Sequence, residues 1–297
     1  MIRALALLAA VVAAVAAVQG SDAAFTASAS NAGSFTTIAN FAPAVTLTTP
    51  AAGATTNGTP TLSGAAGNAT GDSTTVTVKI YSGASTAGTL TQTLTPTRTA
   101  ATWTTTASPA LASGTYTAQA TQTDTGGATG TSAAVTFTVD ATKPAASAVV
   151  ATNKAGGAAG KIENGDTITF TYSEPITAAS VWGGWNGAST AVNVRFTNSG
   201  TADTVTVLTA TTGTVKLGTV ATTGNYVSAT TTFASTMVRS ADGASIVVTL
   251  GTPASVQGTA VTAKNMTWTP VVGITDLVGN TSTAATPFTE TDTDVDF

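Results

Sequence analysis

The residues able to do chemistry in this chain are few and narrow in type. Its 297 residues include no histidine and no cysteine, and 14 Asp and Glu stand against 10 Lys and Arg. Imidazole acid–base catalysis, thiol nucleophiles, disulfides and every Cys/His metal site are therefore absent. Carboxylates and indoles remain. Glu163, Asp166 and Glu174 are close enough in sequence to be considered as the paired carboxylates of glycoside cleavage. Their contexts argue against it, because Glu163-Asn164-Gly165-Asp166 has the composition of a turn and Glu174 directly precedes Pro175. No Gly-x-Ser-x-Gly elbow, P-loop or dinucleotide fingerprint is present, so the chain reads as a non-enzyme with no organic cofactor.

Two further groupings invite binding chemistry. Trp182-Gly183-Gly184-Trp185 is the densest aromatic cluster. Its indoles either stack on sugar rings or fill the core, and their exposure separates the two readings. Asp276 and Asn280 in Asp276-Leu277-Val278-Gly279-Asn280 supply a carboxylate and an amide oxygen. With loop carbonyls these could hold calcium weakly, while Asp and Gly are equally the residues of an ordinary hairpin turn. In the tail, Glu290, Asp292, Asp294 and Asp296 alternate, and on a strand they would share one face and repel unless water, salt or a hard cation screens them.

The elements that must position these residues are strands. Charged residues make up 8% and aromatics 6%, Thr, Ala, Gly, Ser and Val dominate, and the mean hydropathy is +0.28. Such a mixture suits half-buried pleated surfaces and is too apolar for disorder. The net charge of −4 and pI near 4.6 exclude the basic footprint of a nucleic-acid partner. Val76, Val78 and Ile80 alternate with Thr77 and Lys79, and the same period recurs at Val135, Phe137 and Val139, at Ile168, Phe170 and Tyr172, and at Val192, Val194 and Phe196.

The expected organisation is all-β, with two tandem immunoglobulin-like Greek-key β-sandwiches after an N-terminal signal helix. Residues 1–23 read as a signal peptide, with Arg3 before an apolar run from Ala4 to Val18 that is too short to span a bilayer. Residues 24–42 form an extension, 43–142 the first sandwich and 143–297 a second, larger one, its extra length assigned to insertions or added strands around Gly213 to Thr236. Leu111-Ala112-Ser113-Gly114-Thr115-Tyr116 has the spacing of a tyrosine corner. Asp124-Thr125-Gly126-Gly127-Ala128 shares a D-x-x-G spacing with the segment from Asp276, which suggests one hairpin geometry used twice.

The blocks TPTLSGAAG, TVKIYSG, ATWTTTASPALASGTYTAQATQTD and VTFTVDATKP resemble a bacterial Ig-like repeat of large surface proteins. GDTITFTYSEPITAASV, STMVRSADGASIVVTL and ITDLVGN are similar to the Ig-like domains of S-layer-type and gliding-motility surface proteins. The resemblance implies a secreted, non-catalytic module that spaces, displays or adheres. Its expected partners are cell-surface or extracellular-matrix components, polysaccharide or other surface proteins among them, and the alternative is a carbohydrate-binding protein using Trp182 and Trp185.

Overall fold

The computed structural model describes residues 41–211, 213–253, 261–262, 264–291, 295 and 297. The expected signal peptide, most of the extension, and Asp292, Asp294 and Asp296 of the acidic tail lie outside the described residues. Among the described residues no helix is long and apolar enough to cross a membrane.

The first domain contains β1 (Thr55–Thr56), β2 (Thr61–Ala65), β3 (Thr77–Ser82), β4 (Leu90–Leu94), β5 (Thr102–Thr106), β6 (Gly114–Thr123), β7 (Thr129–Thr131) and β8 (Val135–Val139). One sheet runs β1-β8-β6-β3-β4, with β7 also on β6, and the other pairs β2 with β5. The extended segment before β1 joins the second sheet through Thr46 N–H to Ala65 O and Thr48 N–H to Ser63 O. The chain thus crosses between sheets from β2 to β3 and from β5 to β6, and β1 runs parallel to β8, as sandwich connectivity requires. Leu62, Val78, Ile80, Trp103, Leu111 and Phe137 fill the space between the sheets. The Trp103 indole N–H is satisfied there by the carbonyls of Thr46 and Ala65.

The second domain contains β9 (Ala146–Thr152), β10 (Thr167–Tyr172), a one-turn helix α1 (Ala178–Val181), β11 (Thr190–Thr197), β12 (Thr204–Thr209), β13 (Thr214–Ala221), β14 (Thr231–Arg239), β15 (Ser245–Pro253), β16 (Thr267–Thr269) and β17 (Phe288–Thr289). The nine strands pair antiparallel in one sheet, in the order β17-β16-β13-β12-β11-β14-β15-β10-β9. Its two ends meet where β17 lies back against β9, so the sheet rolls around a single core. That core is aromatic: Trp268 meets Phe170 and Tyr172 edge-on with centroids 5.2 and 5.1 Å away, and Phe196 meets Phe233 and Phe297. The stretch from Gly213 to Thr236 carries β13 and the start of β14, joined by a connection over residues 222–230, so the extra length there adds strand as well as loop. In β13, Val215 and Leu217 are buried while Thr214 and Lys216 face out, and the strand pairs with β12 on one side and β16 on the other.

Candidate metal centre at the domain junction

The chain leaves β8 at Asp140 and enters β9 at Ala146. Asp140 is held from both directions: its N–H donates to Thr56 O at 2.8 Å, and its Oδ1 accepts from Thr142 N–H at 2.9 Å. Just after β10, Ser173 N–H donates to Ala145 O, which lays the Glu174-Pro175 step against the linker. Ile176 then bridges Asp276, Thr177 N–H donates to Thr275 O, and the Thr177 hydroxyl donates to Asp276 O at 2.6 Å. These bonds seat Glu174 beside Asp276 although they are 102 residues apart in sequence.

Asp276 is buried at the head of a tight turn. Its Oδ1 accepts the N–H groups of Val278 and Asn280 at 2.9 and 2.8 Å, and Gly279 takes φ +92°, a conformation open to glycine at little cost. The first domain repeats the turn: Asp124 Oδ1 accepts Ala128 N–H at 2.8 Å and Gly127 takes φ +88°. The two differ at their last residue. The Asn280 amide nitrogen donates both to Asp276 Oδ2 and to Asp140 O, each at 2.8 Å, and so fastens the second domain to the end of the first. Ala128 offers no such arm. Through its amide nitrogen Asn280 thus positions Asp276.

Asp140, Glu174 and Asp276 therefore converge, with carboxylate oxygens within 4.8 Å of one another. Among the described residues no Lys or Arg forms an ion pair with them, and Lys143 reaches the Thr283 hydroxyl instead. Glu174 Oε1 is shut off from water and receives no donor. Burial, then the charges of Asp140 and Asp276, push the Glu174 carboxyl above its ordinary range. Oxygens sharing one calcium ion at about 2.3–2.6 Å lie no more than about 5 Å apart, so the observed spread fits a single hard cation. Three carboxylates without nitrogen or sulfur donors suit such an ion better than zinc.

The other sequence candidates do not join this cluster. Glu163 pairs with Lys154 at 3.8 Å and caps Ala158 N–H. Asp166 is fully buried, and its two oxygens accept the N–H groups of Lys154 and Glu163 to close the β9–β10 loop. Both are structural. Trp185 is buried with its indole N–H on Ala188 O at 2.7 Å, whereas Trp182 is half-buried. Sequence reasoning gave Asp140 no role beyond the end of the first domain's strands; a carboxylate at the end of a domain's last strand was the available signal.

The fold and this junction define a class: an all-β protein of tandem sandwich-like domains. Residues 46–141 match the bacterial Ig-like domain family. Among solved structures, the chain is similar to the fibronectin(III)-like modules of Clostridium thermocellum CbhA, at 15% identity over 72% of this chain and 92% of that one, TM-score 0.25. It is also similar to dimeric latent PorU from Porphyromonas gingivalis, at 16% over 73% of this chain and 20% of that one, TM-score 0.25. A tetra-tandem repeat from the extending region of a large adhesion protein matches at 17% over 86% of this chain and 66% of that one, TM-score 0.26. No curated protein matches.

Proposed function

We propose that this chain is a non-catalytic extracellular module of a bacterial cell surface, in which two Ig-like domains are held in fixed relation by a calcium ion at their junction. Its role is mechanical: it spaces or displays what it carries and supports adhesion to other surface components. The observation that carries this reading is the meeting of Asp140 from the first domain with Glu174 and Asp276 from the second. A cation there replaces mutual repulsion, about 1 kcal/mol for a pair 4 Å apart in water and about 4 at an effective dielectric near 20, with shared ligation. The match of residues 46–141 to a bacterial Ig-like family and the leader-like residues 1–23 support export.

Small-angle scattering and thermal melts of the full chain, in millimolar calcium and in chelator, test it. The expected result is a higher melting temperature and a narrower range of inter-domain separations with calcium. Identical melts and scattering in both conditions would overturn the calcium junction.

A further inference from the structure

We propose that the cleft beside Trp182 binds a neutral polysaccharide. The cleft, of about 320 Å³, lies on the second domain, where α1 gives way to the turn that leads into β11. That volume is at the lower end of what ligand sites offer, and Trp182, Trp185 and a few small and polar residues line the cleft. Trp182 is half-buried, packed against the core of the second domain and also part of the cleft lining. Gly183 and Gly184 leave the space beside it open, since a Cβ on either would meet nothing within 4 Å. Asn186, Ser189 and Thr190 also line the cleft and bring amide and hydroxyl groups, the Asn186 Oδ1 accepting the Ala188 N–H at 3.0 Å.

The cleft is preformed. Trp185 N–H donates to Trp182 O at 3.0 Å and its indole N–H to Ala188 O at 2.7 Å, so the buried Trp185 nails the turn to the core. Behind it, Arg239 N–H donates to Gly187 O at 2.9 Å, while Arg239 Nη1 is committed to Ile176 O at 2.7 Å. Among the described residues, no ionisable side chain lines the cleft. A flat indole offers the apolar C–H face of a pyranose ring its best partner, and hydroxyls and an amide match the ring's equatorial edge. The lack of charge selects an uncharged polymer over a uronic-acid or phosphate-bearing one. The shape, open on one side, suits a chain lying across it. The two tryptophans of the sequence motif thus divide their labour, Trp182 as platform and Trp185 as anchor.

The full chain is tested, in chelator so that the junction ion plays no part, by pull-down on insoluble cellulose and chitin and by affinity electrophoresis through gels containing xylan, mannan or laminarin. Alginate and heparin serve as anionic controls. Wild type is expected to be retained by at least one neutral polymer. Trp182→Ala and Gly183→Leu should each weaken that retention about tenfold or more, the first by removing the platform and the second by filling the cleft. Gly183→Leu decides the matter if Trp182→Ala disturbs the core, because Gly183 has free space for a side chain. Failure to bind any neutral polymer, binding to the anionic controls alone, or retention unchanged in a folded Gly183→Leu protein overturns the proposal.

Discussion

Tyr116 shows how much a single side chain fixes in a sandwich. Its ring is buried against Phe137, with centroids 6.2 Å apart, and its hydroxyl donates to Ala112 O at 3.1 Å, closing the corner through which the chain enters β6. Removing the oxygen leaves the ring in place and frees the Ala112 carbonyl to bind water. Tyr116→Phe is therefore expected to cost about 0.5–1.5 kcal/mol, the net worth of one hydrogen bond, with the fold intact. Urea unfolding of the first-domain transition measures it, and a change within error would remove the bond from the stability of the domain. This corner was legible in sequence because donor and acceptor lie four residues apart. Phe297 was not. The alternating acids of the tail suggested only a charged face, yet the Phe297 ring sits wholly buried between Phe196 and Tyr226, and its main-chain oxygen accepts Gly160 N–H. Contacts over so long a separation leave no local pattern to read.

At the scale of elements, the two Asp-to-Gly turns form a natural comparison. In each, an aspartate oxygen gathers the backbone N–H four residues on and a glycine at φ near +90° completes the reversal. An added Cβ would meet nothing within 4 Å at Gly127 and only Asn57 Nδ2 at 3.8 Å at Gly279, so the backbone conformation alone sets the cost. Gly127→Ala and Gly279→Ala are each expected to lose about 1–2 kcal/mol, the penalty for a left-handed residue with a Cβ. They should part company in calcium. Gly279→Ala shifts Asp276 and Asn280 and so reduces any gain in melting temperature on adding calcium, whereas Gly127→Ala leaves that gain intact. Equal calcium responses in the two variants would detach the turn from the junction. The repeat of the turn could be read from its spacing, and so could the alternating strands. The rolling of nine strands into one sheet could not, since pairings such as β10 with β15 join residues some eighty apart.

The junction is where the whole molecule responds to its surroundings. Without a cation, Glu174 is held protonated to higher pH than an ordinary glutamate by burial and by the charges of Asp140 and Asp276. A group whose pKa is raised on folding contributes stability that is complete below its unfolded pKa, about 4.3 for Glu, and lost as pH rises through its folded value. Chelated wild type therefore loses stability from this residue as pH rises above the unfolded pKa of about 4.3, the upward shift setting the sign of the effect. Glu174→Gln, which has the same shape and cannot ionise, escapes that loss. In chelator its melting temperature is expected to match wild type at about pH 3.5, below the usual glutamate range, and to exceed it once pH has risen above that range. In millimolar calcium at pH 7 the order reverses, because the variant has lost a charged ligand that wild type keeps. Melting curves of the two full chains across this range, with and without calcium, read both effects. Superimposable curves in chelator would mean that the three carboxylates do not feel one another, and the electrostatic argument for the junction would fall with them.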